Sequence, residues 1–140
     1  MTSILLIDDN EEFSRLMQIG LGRLGHKVTI AFDGDEGLRA LRANSYDIVI
    51  TDIIMPGREG LETIIEVKRM YPDMPILAIS GGGITGKTAF LEAAKKLGAT
   101  DALEKPFSIA YLNASILQHT QSSGPSARKK RTGKWGLLGG

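Results

Sequence analysis

Apolar runs and helical spacings alternate along residues 1 to 120 of the chain. Continuous apolar stretches are typical of parallel strands buried on both faces, and three short stretches have this character. A fourth stretch has a more polar face, and a fifth is shorter and less apolar. The five predicted strands are SILLI (3–7), KVTIA (27–31), IVIT (48–51), ILAI (76–79) and TDALE (100–104).

The segments after the strands place apolar residues three and four positions apart, as on one face of a helix. Gly20 and Gly22 weaken the end of the first helix by about 1 kcal/mol each without overturning it. Gly98 predicts the end of the fourth helix. The apolar positions of the five predicted helices are Phe13, Leu16, Met17, Leu21 and Leu24; Leu38 and Leu41; Leu61, Ile64, Ile65 and Met70; Phe90, Ala93, Ala94 and Leu97; and Ile109, Leu112, Ile116 and Leu117.

Strict alternation of strand and helix predicts an α/β fold, a parallel sheet with helices on both faces and right-handed crossovers. In such a sheet the ligand site lies at the carboxyl ends of the strands. The chain has 140 residues, of which 42% are hydrophobic and 24% charged, and this suffices for one domain with its own core.

Composition narrows the classes of function. The chain has no cysteine, which excludes disulfides, thiolate metal sites and cysteine nucleophiles. No apolar run approaches the roughly 20 residues that span a bilayer. The N-terminus has neither a basic leader nor a long apolar stretch. We therefore expect a cytoplasmic protein without a membrane partner.

The net charge of +1 hides an uneven distribution. Residues 121–140 hold five basic residues and no acidic one, which leaves 12 basic and 16 acidic residues in 1–120. The last twenty residues are rich in Gly and Ser, so we expect a flexible basic tail or linker after a domain of residues 1–120. Such a tail cannot form a helix-turn-helix, so nucleic acid is an unlikely partner for this chain alone.

Polar side chains follow four of the predicted strands. Asp8 and Asp9 come after the first, Asp52 after the third, Ser80 after the fourth and Lys105 after the fifth. Two carboxylates about 4 Å apart repel by roughly 4 kcal/mol at an effective dielectric of 20, and a cation relieves this repulsion. Carboxylate oxygens with room for water suit Mg²⁺. A carboxylate beside a metal ion and an ammonium can accept a phosphoryl group as an acyl phosphate.

These motifs together resemble the receiver domain of two-component response regulators, including the chemotaxis receiver. The resemblance rests on the Asp8-Asp9 pair, DIVITDIIMPGREG around Asp52, Ser80, and KPF at 105–107, and it covers about residues 3–120. It implies a flavodoxin-like, doubly wound sheet of five parallel strands in the order 2-1-3-4-5 with five helices, an order for which receivers are a standard example.

The resemblance also implies roles for individual residues. Asp52 is expected to be the phosphoacceptor. Asp9, Asp52 and the backbone carbonyl of Ile54 are expected to bind Mg²⁺ directly, and Asp8 mainly through water. Lys105 is expected to bind the phosphoryl group and to precede a cis peptide bond with Pro106.

Ser80 is expected to hydrogen-bond the phosphoryl oxygens. The phosphoryl group would come from a phosphohistidine on a sensor histidine kinase or a histidine phosphotransfer protein, and the phosphorylated state would change the binding of a downstream partner or output domain. The chain would be no enzyme beyond catalysing its own phosphorylation and dephosphorylation. Two hypotheses stay open: a stand-alone receiver, and the receiver of a longer DNA-binding or enzymatic regulator.

The sequence departs from the family pattern in two places. Ala102 stands three residues before Lys105, where relatives have Tyr or Phe, and Gly81–Gly83 predict a longer, looser loop than usual. The segment GGGITGKT (81–88) also matches the phosphate-binding loop of nucleotide hydrolases. A working phosphate-binding loop usually follows the first strand and needs an acid at a second strand end to bind Mg²⁺. This segment follows the fourth predicted strand, and Asp52 is better explained by the acidic cluster, so we interpret the match as chance. His26 and His119 are isolated in sequence, which favours a surface role or an interaction with a helix dipole over phosphotransfer.

Overall fold

The computed structural model describes residues 2–53, 60–81 and 87–121, with the backbone alone for 87–91 and 121. Strands and helices alternate along the chain, each strand being followed by a helix. The elements are β1 (Ser3–Ile7), α1 (Glu11–Arg23), β2 (Lys27–Ala31), α2 (Gly34–Ala43), β3 (Ile48–Asp52), α3 (Gly60–Met70), β4 (Ile76–Ser80), α4 (Lys87–Leu97), β5 (Asp101–Glu104) and α5 (Ile109–Gln121).

The strands form one parallel sheet in the order β2-β1-β3-β4-β5, which confirms the predicted fold class. The sequence boundaries of β1 and β2 are as predicted. β3 and β4 are each one residue longer than their apolar runs, because Asp52 pairs with Ile79 and Ser80 pairs with Glu104 in the ladder. Two residues of central chemical interest therefore belong to strands rather than to the loops after them.

Two apolar cores lie on opposite faces of the sheet. Alternate residues of β1 divide between them: Leu5 and Ile7 face the core covered by α2, α3 and α4, whereas Ile4 and Leu6 face the core covered by α1 and α5. β3 and β4 are buried along their whole lengths. This arrangement explains why their sequences are continuously apolar until their last residues.

The apolar face predicted for α1 is partly wrong. Met17 and Leu21 are buried, but Leu16 is 58% exposed and Leu24, which follows the helix, is 51% exposed. Ile65 and Leu97 are each 38% exposed. Spacing places these residues near the buried stripe, but the sheet contacts a narrower part of each helix than the apolar pattern covers.

Glycine allows α1 and α5 to approach closely. A Cβ atom added at Gly20 would collide with the side chain of Ile109 at the start of α5. Gly98, directly after α4, has φ +126°, a conformation that favours glycine and that agrees with its predicted role as a helix stop. Gly20 therefore serves helix packing, although its low helix propensity weakens α1 locally.

Several predictions concern residues outside the described ranges. They are the loose loop at Gly82 and Gly83, the remainder of the GGGITGKT segment up to Gly86, the Ile54 carbonyl, and the basic tail from residue 122. Among the described helices, none combines the length and the apolar character that a membrane crossing requires.

Candidate functional site

The carboxyl ends of four adjacent strands bring the predicted polar residues to one edge of the sheet. Asp8 and Asp9 follow β1, Asp52 ends β3, Ser80 ends β4, and Lys105 follows β5. One carboxylate oxygen from each of the three aspartates lies within 4.8 Å of the others. The Lys105 ammonium lies 2.9 Å from Asp8 Oδ2 and 3.8 Å from Asp52 Oδ2. Three acids and one lysine thus share a single small volume.

Asp8 is the most tightly held acid of this cluster. It is fully buried, and both of its carboxylate oxygens have partners: the Asn10 backbone N–H donates to Oδ1 at 2.9 Å, and Lys105 donates to Oδ2 at 2.9 Å. The Ser14 hydroxyl donates to the Asp8 backbone carbonyl at 3.4 Å. A buried carboxylate is tolerated when it is paired in this way. Asp8 therefore anchors Lys105 beside Asp52.

Asp9 and Asp52 differ from Asp8 in exposure. Asp9 is exposed to solvent, and the Asp52 side chain is 9% exposed. Asp9 gives the site an open side, through which a solvated ion or a phosphoryl donor can enter. Asp52 is within 3.8 Å of Lys105, which also contacts the fully buried Asp8.

Gly60 packs directly against the backbone of Asp52. A Cβ atom at residue 60 would overlap the Asp52 carbonyl oxygen and Ile53 Cα, so the first residue of α3 lies directly against the end of β3. The Thr51 hydroxyl donates to the same Asp52 carbonyl at 3.0 Å. The sequence analysis noted Gly60 as part of the resemblance, but only the structure shows that any side chain there would displace Asp52.

The donor set suits a small hard cation. Carboxylate oxygens are the ligands that Mg²⁺ prefers, and two oxygens on opposite sides of such an ion lie about 4.2 Å apart. Oxygens of the three carboxylates lie within 4.8 Å of one another, a spacing close to that of ligands around one such ion. The carbonyl of Ile54, also predicted as a ligand, lies outside the described residues.

Ser80 ends β4 with its side chain buried. Its hydroxyl donates to the Gly81 carbonyl at 3.4 Å, which is long for an O–H···O hydrogen bond. The Ser80 carbonyl accepts from the Lys105 backbone N–H at 2.8 Å, which ties the end of β4 to the residue that bears the ammonium. The Lys105–Pro106 bond is cis, as the resemblance implied.

The sequence analysis missed the surroundings of Lys105. The Phe13 ring centroid lies 3.9 Å from Lys105 Nζ, and the Phe107 ring meets Phe13 edge to face at 6.0 Å between centroids. Phe13 was assigned only to the apolar face of α1. Its position in the first turn after Asp9 was the one signal in the sequence that it could lie near the acids.

The two histidines are not isolated. His26, which is partly exposed, has its Nε2 2.6 Å from Asn113 Oδ1 on α5, while its Nδ1 is buried, so this side chain also takes part in packing between elements. His119 Nε2 lies 3.3 Å from Asp101 Oδ2 on β5, and Lys95 lies 3.9 Å from the other oxygen of Asp101. The first contact joins residues 87 positions apart and the second joins β5 to α5, residues 18 positions apart, and neither separation lies within the span of a local pattern.

Comparison with known proteins assigns this geometry to one family. The family model described as the response regulator receiver domain matches residues 4–117. The chain is 32% identical over 122 residues to the uncharacterized transcriptional regulatory protein YkoG of Bacillus subtilis (strain 168), covering 86% of this chain and 52% of that protein. The chain thus spans about half the length of this curated relative.

Solved receiver structures agree with this match. A response regulator receiver domain protein from Clostridium thermocellum superposes with a TM-score of 0.81 at 30% identity, covering 88% of this chain and 97% of the other. The receiver domain of NtrX from Brucella abortus superposes with a TM-score of 0.80 at 31% identity, covering 86% and 99%.

Proposed function

Because this chain belongs to the family of response regulator receiver domains, we propose that Asp52 is its phosphoacceptor and that the chain relays a phosphoryl group from a phosphohistidine. The observation that supports this most is the position of the Asp52 carboxylate, which is nearly buried, lies 3.8 Å from an ammonium and shares its surroundings with two further acids. A carboxylate so placed can attack phosphorus while positive charge stabilises the phosphoryl oxygens.

The reaction transfers one phosphoryl group without any net oxidation. An Asp52 carboxylate oxygen forms a bond to phosphorus, the bond from phosphorus to the donor nitrogen breaks, and the electron pair of that bond returns to the histidine ring, which takes up one proton from solvent. The products are an aspartyl phosphate and free histidine. Water reverses the modification by releasing inorganic phosphate, so the chain catalyses only its own phosphorylation and dephosphorylation.

The other site residues bind the phosphoryl group and the metal ion and orient them beside Asp52. Lys105 donates to the phosphoryl oxygens through a charge-assisted hydrogen bond, and Asp8 keeps its ammonium beside Asp52. Asp8, Asp9 and Asp52, with the Ile54 carbonyl, would hold Mg²⁺. When bound, the ion supplies positive charge that offsets the three carboxylates and the phosphoryl oxygens.

Ser80 links the phosphoryl group to the backbone after β4. Among the described residues its hydroxyl has one hydrogen bond, the long 3.4 Å contact with the Gly81 carbonyl, and little is lost when this contact is exchanged for a phosphoryl oxygen. Ala102, half-buried against the core under α2, α3 and α4, provides no ring to move with it. In Ser80→Ala, Asp52 should still be phosphorylated, but the phosphorylation-dependent change in the Gly81 amide resonance should be lost.

The exposed apolar surface of α1 suits the phosphodonor protein. Leu16 and Ile19 are 58% and 53% exposed, and they lie on α1, which begins two residues after Asp9. The paired change Leu16→Ser and Ile19→Ser should slow transfer from a phosphorylated kinase that labels the wild type, and leave labelling by acetyl phosphate unchanged. Ile65→Ser, at a 38% exposed position on α3, is the control.

Phosphorylation then changes what the receiver binds, either a separate partner or a further domain. The relative YkoG is described as a transcriptional regulatory protein and is about twice as long as the matched region. Its length supports a further domain, rather than a separate partner, in this family. We place the receiver within residues 1–120 and treat 121–140 as a basic tail or linker.

Acetyl phosphate tests the proposed chemistry without a partner. Incubation of the chain with acetyl phosphate and Mg²⁺ should add one phosphoryl group by intact mass, and chelation of the metal should prevent it. Asp52→Asn should not be labelled under the same conditions. Equal labelling of wild type and Asp52→Asn would refute the assignment of Asp52.

A further inference from the structure

The face of an aromatic ring covers the ammonium of Lys105. The Phe13 ring centroid lies 3.9 Å from Lys105 Nζ, well inside the distance at which a cation is attracted to the electron-rich face of a ring. Phe13 lies on α1, whereas Lys105 follows β5. The contact therefore joins the first helix to the segment after the last strand.

We propose that Phe13 is a positioning residue that holds the Lys105 ammonium at Asp52 through a cation–π contact. The Lys105 side chain is 17% exposed, so most of its hydration is lost in the fold. Its one described hydrogen bond is to Asp8 Oδ2, and Asp52 Oδ2 at 3.8 Å is beyond hydrogen-bonding distance. The ring replaces part of the missing hydration on the remaining side.

Phe107 fixes the plane of the Phe13 ring. The two rings meet edge to face, with an interplanar angle of 80° and a centroid separation of 6.0 Å, and edge-to-face pairs are a favoured aromatic geometry. Phe107 lies two residues after Lys105, so the segment that provides the ammonium also provides the support for the ring. The ammonium therefore lies among two carboxylates and a ring whose orientation is constrained.

The position of the Lys105 ammonium should affect the rate of the proposed phosphotransfer, and this part of the inference rests on that proposed function. Without the attraction of the ring, Lys105 keeps its hydrogen bond to Asp8 and its 3.8 Å ion pair with Asp52, but one of the three described attractions on its ammonium is lost, so it spends less time near Asp52. Cation–π contacts that are partly desolvated correspond to a change of roughly 2- to 30-fold in an equilibrium or rate. We expect a decrease of this size in the rate of Asp52 phosphorylation when the ring loses its electron-rich face.

Nuclear magnetic resonance of the full chain, without metal or donor, tests the contact itself. The ring current of Phe13 should move the Lys105 ε-CH₂ resonance well upfield of the other lysines, and Lys105→Arg identifies the signal by its loss. In Phe13→Leu a Lys105 resonance should return to the ordinary lysine position. A wild-type spectrum with no upfield-shifted lysine ε-CH₂ would overturn the proposal, whether or not Asp52 accepts phosphate.

A kinetic series separates the charge effect from packing. Incorporation of 3,4,5-trifluorophenylalanine at position 13 preserves the ring shape but removes most of its negative face, and it should slow labelling by acetyl phosphate within the range given above. The same replacement at Phe32, whose ring lies 5.8 Å from Arg15, is the matched control and should leave the rate unchanged. Equal rates for the wild type and the variant fluorinated at position 13, both fully folded by melting temperature, would also overturn the proposal.

Discussion

Replacement of Asp9 by Asn should make the metal-free protein more stable. One oxygen of Asp9 lies within 4.8 Å of an oxygen of both Asp8 and Asp52. At that distance and an effective dielectric of 20, each pair repels by about 3.5 kcal/mol. Asn is nearly isosteric with Asp and removes both repulsions, while the ion pairs of Lys105 with the other two acids remain.

The gain that is realised should be much smaller than the sum of the two repulsions. Asp9 is exposed, so water screens its charge, and a carboxylate just before the first turn of α1 also stabilises the helix dipole by about 0.3–1 kcal/mol. We expect Asp9→Asn to raise the free energy of unfolding by about 1–2 kcal/mol, which for a domain of this size corresponds to roughly 4–8 °C in melting temperature.

With magnesium the order of stability should reverse, so that the wild type is more stable than Asp9→Asn. A ligand that binds only the folded state adds about 2.7 kcal/mol at 100 times its dissociation constant. The wild type should gain stability as Mg²⁺ is added, whereas Asp9→Asn should gain much less because it has lost a proposed ligand. Denaturant unfolding at neutral pH, with chelator and with millimolar Mg²⁺, measures both effects on the same samples.

The matched control is Glu92→Gln on α4. It changes the net charge by the same amount at an exposed position outside the acidic cluster, so it should alter stability by less than about 0.5 kcal/mol in either condition. Lower stability of Asp9→Asn without metal, or an equal response of both proteins to Mg²⁺, would refute the view that the three carboxylates repel one another and share one ion.

Three further predictions concern other parts of the chain. Gly60→Ala should destabilise the fold by about 3 kcal/mol or more in denaturant unfolding and slow labelling of Asp52, because its Cβ overlaps the Asp52–Ile53 backbone; wild-type stability and labelling would contradict this. Burial lowers the pKa of Lys68 below 10.5, although nearby Asp73 acts to raise it. The stability of the wild type relative to Lys68→Met should therefore rise with pH between the lowered pKa and 10.5. A difference that stays constant with pH would show that burial does not disfavour the charged form. Deletion of 122–140 should leave the melting temperature unchanged, and a fall of many degrees would show that the tail packs on the domain.

The sequence predicted the sheet well because its central strands are buried on both faces. Burial requires apolar residues at every position, so IVIT and ILAI are visible as strands without knowledge of their neighbours. Their last residues, Asp52 and Ser80, were not predicted as strand residues because they are polar. Pairing with the neighbouring strands nevertheless keeps both residues in the sheet. The acids and the lysine could be predicted to converge because the carboxyl ends of parallel strands share one edge.

The sequence could not predict contacts that depend on packing between distant elements. Leu16 is as apolar as Leu21, but the distance of each from the sheet depends on the rotation of α1 about its axis, which local spacing does not define to within one residue. The contacts of Phe13 with Lys105 and of His26 with Asn113 join residues more than 80 positions apart. No periodic pattern encodes such pairs.

Chemical trapping of the acyl phosphate tests the central proposal most directly. The chain is phosphorylated by acetyl phosphate with Mg²⁺, reduced with borohydride, which converts an aspartyl phosphate to homoserine, and digested for mass spectrometry. We expect homoserine at position 52 alone, and none when Mg²⁺ is chelated. Homoserine at position 8 or 9, or a stable phosphoryl group on another side chain with residue 52 unmodified, would contradict it.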